Sequence, residues 1–211
     1  MSATVPRPFT FAKGNAAKLA ALPRYASGSV RTRFRSRDPQ VWAFGSAFGL
    51  ADGALALLRA ARRLQPSLRL VWLVGTEQQA VQARSLGIEW VAKDSSAGFD
   101  TTAGAGVVAI THGFGDVNRF ALGGATIAQL WHGSPLKKLH ADSSAALALG
   151  PLSGVPAART LMRQAYRRGT RRISVLPVAA DTFVPWMCSA FDLSPQQVRV
   201  LGEPRTDVLF A

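Results

Sequence analysis

Leu68-Arg69-Leu70-Val71-Trp72-Leu73-Val74 is a near-continuous apolar run, lacking the alternation of a strand with one wet face. It reads as a strand buried on both faces, the kind found in parallel sheets. Upstream, Val41 to Phe44 is a short strand candidate. Ala54 to Leu64 then sets Leu57, Leu58, Ala61 and Leu64 on one helical face, with Arg59, Arg62 and Arg63 turned away. Pro66 ends that helix. Downstream, Glu77 to Leu86 reads as a helix closed by Gly87. Ile88–Ala92, Gly106–Thr111 and Thr126–Trp131 read as strands. A basic helix over Ala157–Gly169 precedes a strand over Arg172–Val178. Thr182 to Phe191 reads as a helix with Asp181 as N-cap and Pro185 near its first turn. Val198–Leu201 is the last strand. This alternation predicts an α/β fold, a three-layer Rossmann-like parallel sheet.

Composition narrows the class. With 211 residues the chain fills one domain, and 48% hydrophobic content excludes disorder throughout. No run reaches the ~18 apolar residues of a spanning helix, and no secretory signal is expected at the N-terminus. The single Cys188 forms no internal disulfide and reads as a packed thiol. Net charge is +13, carried mostly by arginine. Residues 1–40 hold eight basic side chains and one acid, Asp38; residues 159–172 hold six arginines and no acid. We read residues 1–40 as a basic N-terminal arm, in which Ala16 to Leu22 forms at most a short helix ended by Pro23. Basic patches of this kind attract anionic lipid surfaces or anionic polymers, or are simply solvated. The clusters lack interleaved aromatics and no nucleic-acid motif is present, so no nucleic-acid partner is expected.

The chemistry concentrates at one strand end. Ala125–Leu130 is followed by Trp131-His132-Gly133-Ser134-Pro135-Leu136-Lys137-Lys138, so an imidazole falls where a strand finishes. In an open parallel sheet that edge is where ligands bind. His132 titrates near neutral pH and is the candidate base. Lys137 and Lys138 either neutralise phosphate or form an exposed segment. Ser134 either caps a turn or donates to phosphate, and Trp131 packs the strand end. His112, at the end of a neighbouring strand, is placed to share the crevice. Asp116 and Asn118 either orient an acceptor there or belong to an ordinary polar loop. Neither a Cys pair nor a metal-binding histidine spacing is present, and no Walker loop or dinucleotide fingerprint, so no metal or cofactor is expected.

Trp131 to Leu139 resembles the Trp-His-Gly-(Thr/Ser)-Pro-Leu-Lys-Lys motif of the CDP-glycerol glycerophosphotransferase family, the teichoic-acid primases and polymerases. Gly202-Glu203-Pro204-Arg205-Thr206-Asp207 is similar to its Gly-Tyr-Pro-Arg-Asn-Asp element, with Glu203 for the aromatic and Thr206 for Asn. Phe44-Gly45-Ser46-Ala47-Phe48-Gly49-Leu50-Ala51-Asp52-Gly53 resembles its opening segment, one residue short before Asp52. The resemblance implies the N-terminal, acceptor-side half of a type-B glycosyltransferase fold over residues 41–211, with the second, donor-nucleotide half absent. It implies transfer of glycerophosphate, or another polyol phosphate, from CDP-glycerol or a related CDP-polyol to a hydroxyl-ended acceptor. His132 would be catalytic. Gly133, Ser134, Lys137, Lys138, Arg205 and Asp207 would bind substrate or phosphate; the motif does not cover His112, and its place beside them is inferred from strand order alone. The expected acceptor is an anionic polymer or lipid-linked chain of teichoic-acid or capsular type. The expected location is the cytoplasmic membrane face, peripherally bound to an anionic surface. A split or truncated enzyme, a fragment, and a non-catalytic basic module binding anionic polymer or lipid are all open at this stage.

Overall fold

The computed structural model describes residues 20–143, 146–147 and 154–209. Helix α1 (Leu22–Arg33) leads into β1 (Asp38–Gly45), α2 (Asp52–Leu64), β2 (Arg69–Val74) and α3 (Glu77–Ser85). β3 (Glu89–Ala92), α4 (Ser96–Gly104), β4 (Ala105–Ile110) and β5 (Thr126–Gln129) follow, then α5 (Pro156–Thr170), β6 (Ile173–Val178), α6 (Val184–Phe191) and β7 (Val198–Val200). The strands form one sheet in the order β3-β2-β1-β4-β5-β6-β7. Every pairing is parallel.

Residue alternation along the strands builds two cores. Ala43, Leu73, Val108, Ile110 and Ile127 face one side, where Met187, Ala190 and Phe191 of α6 cover them. Phe44, Trp72, Val74, Ala109 and Ala128 face the other, against Ala54, Leu58 and Ala61 of α2 and Ala80 and Ala83 of α3. The apolar run Leu68–Val74 supplies β2, and Val71, Trp72 and Leu73 are fully buried. Burial of each such side chain contributes about 1.5–3 kcal/mol. Three layers follow from that pattern.

Three local expectations are corrected. Pro23 does not end a helix; it lies in the first turn of α1, where its missing N–H would have had no partner anyway. Residues 16–19 of the expected short helix lie outside the described residues. Asp181 does not cap α6 with its side chain. It opens a tighter turn, Asp181–Phe183, in which the Phe183 N–H already bonds the Ala180 carbonyl. Helix α4 carries no helical signal in the sequence, because Gly98, Thr101, Thr102 and Gly104 are poor helix formers. It is held by Ser95, whose hydroxyl accepts from the Gly98 N–H at 3.0 Å, and by Phe99 and Ala103 packing on Ala121.

Several arginines counted in the basic arm are engaged on the body. Arg35 pairs with Asp100 at 2.6 Å, Arg31 lies over the Phe99 ring, and Arg24 over Phe120. Arg37 donates to the carbonyls of Thr102, Ala105, Ala121 and Gly123, and burial lowers its pKa. It gathers the ends of α4 and β4 and the loop after β4. Arg37→Ala should therefore cost at least about 3 kcal/mol, since each charge-assisted bond counts for roughly 1.5–3 kcal/mol and four carbonyls lose their donor. Arg37→Lys should recover little, because an ammonium cannot reproduce the planar fork. Urea unfolding reads both; an unchanged midpoint for Arg37→Ala would contradict this role. Of the remaining arm residues, Arg7, Lys13 and Lys18 lie outside the described residues.

Candidate active site

Chain order reverses between β1 and β4, and the crevice at the carboxyl ends of such strands is where ligands bind in open α/β sheets. Strand β5 pairs with β4 on one side and β6 on the other, so its end lies at the same edge. It stops at Gln129, two residues before the sequence suggested, which frees Trp131 and His132 from the ladder. Trp131 has φ +58°, a left-handed conformation that is costly for a bulky side chain. Its indole, edge-on to Phe191 at 5.1 Å and stacked on the His132 ring at 4.1 Å, holds it there. Asp52, the first residue of α2, is left-handed as well, at φ +60°.

His112 and His132 come together. Their rings stack at 4.6 Å with 13° between planes, and Phe48 meets His112 edge-on at 4.0 Å. Asp116 fixes the His112 loop: one carboxylate oxygen accepts from the backbone N–H groups of Thr111 (2.9 Å), His112 (2.7 Å) and Gly113 (3.3 Å). The Thr111 hydroxyl lies 2.9 Å from His112 Nδ1. His112 Nε2 is buried with no hydrogen-bond partner among the described residues. Asp116 and Asn118 are engaged by backbone groups. Both are buried, and Asn118 donates to the Lys93 carbonyl and accepts from the Phe120 N–H.

The loop after His132 is tied to the chain's last turn. Glu203 accepts from the Ser134 hydroxyl at 3.2 Å and from Arg205 Nε at 2.8 Å, while Arg205 Nη1 donates to the His132 carbonyl at 3.0 Å. Ser134 is thus occupied by a carboxylate rather than by a cap. Gly133 has φ +149°, and a Cβ there would lie 3.3 Å from Arg205 Nη2, so glycine serves both the backbone and the close guanidinium. Arg205 pairs with Glu203, and Asp207 is exposed beyond it. Lys137 and Lys138 are exposed, farther along the loop. Cys188 is packed against the α6 core, and burial raises its pKa.

Burial lowers the pKa of both imidazoles. For His112, Asp116 opposes that shift and the neighbouring His132 reinforces it. For His132, Asp52 opposes it and Arg205 reinforces it. Asp52 therefore acts on both rings, and it is the site residue whose role the sequence left unassigned. Glu203 is the other, since it replaces the aromatic of the resembled element and carried no signal of its own. Both shifts favour the uncharged imidazoles, with an arginine and a carboxylate close by. Such a site can accept a proton from a hydroxyl and face an anionic group.

A Rossmann-ordered parallel sheet with paired imidazoles and an arginine at its carboxyl edge defines an α/β domain with its chemistry built on strand-end loops. The chain belongs to the CDP-Glycerol:Poly(glycerophosphate) glycerophosphotransferase family, whose model matches residues 29–211. Among solved structures it is similar to the wall teichoic acid polymerase TagF, with TM-score 0.67 and 19% identity over 92% of this chain and 47% of that one. A histidine-to-asparagine variant of TagF soaked with CDPG gives TM-score 0.68 and 18% identity over 92% and 48%. A histidine-to-alanine variant gives 0.68 and 19% over 92% and 47%. The chain thus spans about half the length of these structures, and at such identity the likeness shows the fold. No curated protein matches the chain by sequence. No described helix is long and apolar enough to cross a membrane.

Proposed function

We propose that this chain carries the acceptor-activating side of glycerophosphate transfer from CDP-glycerol, or of a related polyol phosphate from its CDP donor. The observation that supports it most is the placement of His132, stacked on His112 at the sheet's carboxyl edge with its carbonyl held by Arg205, where burial lowers its pKa. In this reading an acceptor hydroxyl gives its proton to His132 as its oxygen attacks the β-phosphorus of the donor. The new P–O bond forms, the bond to the CMP oxygen breaks, and CMP leaves. A positioned base of this kind contributes ~100- to 10,000-fold. Arg205 would offset charge growing on the phosphoryl oxygens, the largest contribution available to phosphoryl transfer. The acceptor is a hydroxyl-ended chain of teichoic-acid or capsular type. The test is acceptor extension with matched CMP release from CDP-glycerol by the protein that contains this chain. CMP release without extension, or no donor consumption, would overturn the reading.

We place the protein peripherally on an anionic, cytoplasmic membrane face. The net charge of +13 supports this, as do exposed cations such as Arg168 and Arg172 on and after α5. Arg167 and Arg171 are drawn instead to Asp192. Binding to phosphatidylglycerol-containing vesicles should fall steeply with salt, as the Debye length shrinks from ~10 Å at 0.1 M to ~3 Å at 1 M. Equal binding to neutral vesicles in a flotation assay would contradict it. The engaged arginines of α1 weaken the alternative of a purely basic, non-catalytic module.

A further inference from the structure

Beyond His132 the motif loop and helix α6 enclose an open groove of about 660 Å³, within the size range of small-ligand sites. Lys137, Lys138 and Arg163 contribute three cations to its lining and Asp142 the one carboxylate. Elsewhere Arg35, Arg69, Arg84, Arg171 and Arg205 each hold a carboxylate. Lys137, Lys138 and Arg163 make no ion pair with a described residue. Leu136 is 97% exposed and Trp186 51% exposed, and both line the same groove. Uncompensated cations beside bare apolar and aromatic surface leave a surface that is incomplete without a ligand.

The geometry points to this groove as the seat of the acceptor chain: a phosphodiester-linked polyol whose phosphates meet Lys137, Lys138 and Arg163 while its carbon backbone lies on Trp186 and Leu136. The inference rests on the glycerophosphotransferase reading and extends it from the reacting hydroxyl to the chain behind it. Charge complementarity selects the class. Three cations against one carboxylate suit repeating phosphates. Cations and a carboxylate distributed along the lining suit a hydrophilic chain better than a lipid tail, which needs a continuous apolar wall. Position agrees, because the groove begins at Pro135, three residues past the proposed base.

The test is binding of a short synthetic glycerol-phosphate oligomer to the intact protein, with an uncharged polyglycerol of equal length as control. Arg163 and Trp186 are both exposed, so Arg163→Gln and Trp186→Ala leave the core untouched. Arg163→Gln should raise the Kd about tenfold, the loss of one charge-assisted contact to phosphate. Trp186→Ala should raise it severalfold, and inorganic phosphate should compete weakly. In transfer assays Arg163→Gln should raise KM for the long acceptor and leave KM for a single-hydroxyl acceptor unchanged. Unaltered oligomer affinity in both variants would overturn the proposal. Equal binding of the uncharged control would overturn it too, as would Arg163-dependent binding of phosphatidylglycerol vesicles with none of the oligomer. Arg163-dependent oligomer binding by a protein that consumes no CDP-glycerol would keep the groove and overturn the transfer reading instead.

Discussion

His132→Ala is expected to lower acceptor extension by about 100-fold or more while the thermal midpoint stays within a few degrees of wild type. The separation of the two effects follows from the site. The His132 ring is half-buried and contributes one face of a stack with Trp131 and His112, whereas the loop backbone is fixed through Arg205 on the His132 carbonyl, which alanine retains. Donor binding should change little, since the lost group acts on the acceptor proton. His112→Ala should cost less, because its ring supports His132 without a motif role of its own. A variant at His132 that turns over at the wild-type rate would remove the base assignment altogether.

Asp116→Ala is expected to destabilise the protein by at least about 3 kcal/mol. The carboxylate is 5% exposed and one of its oxygens receives three backbone N–H groups, from Thr111, His112 and Gly113. Each donor left without a partner costs about 1–3 kcal/mol where water has no access. The turn also abuts β1, since a Cβ on Gly45 would clash with the Asp116 backbone carbonyl. Asp116→Asn keeps an acceptor in the same place and should lose about half as much. Urea unfolding gives both values; a loss below about 1 kcal/mol for Asp116→Ala would show that the loop finds other partners.

Much of the architecture could be read from the sequence because the sheet is buried on both faces. Leu68–Val74 carries no polar alternation, and in the structure its side chains feed two cores. His132 was legible for a similar reason, since a histidine, a glycine and a proline directly after an apolar run mark a strand end. Other features depend on tertiary contacts that leave no periodic trace. Helix α4 is built from weak formers and persists through a serine cap and one phenylalanine. Arg37 reads as a surface cation until four carbonyls converge on it. Glu203 reads as a departure from a resembled element, and only its bonds to Ser134 and Arg205 reveal a cross-link between the motif loop and the last turn. Asp52 lies some eighty positions before His132 in sequence, and the fold alone brings its charge to bear on both imidazoles.

If an uncharged His132 takes the acceptor proton, the pH dependence of kcat/KM for acceptor extension carries its titration. Burial lowers the His132 pKa, so its base form predominates above that value. The rate should be flat near neutrality and fall with unit slope on the acid side, with a midpoint below the ~6.5 of an ordinary imidazole. In His132→Gln the residual rate should lose that limb. A wild-type rate that rises as the imidazole protonates, or an acid limb that survives unchanged in His132→Gln, would contradict it.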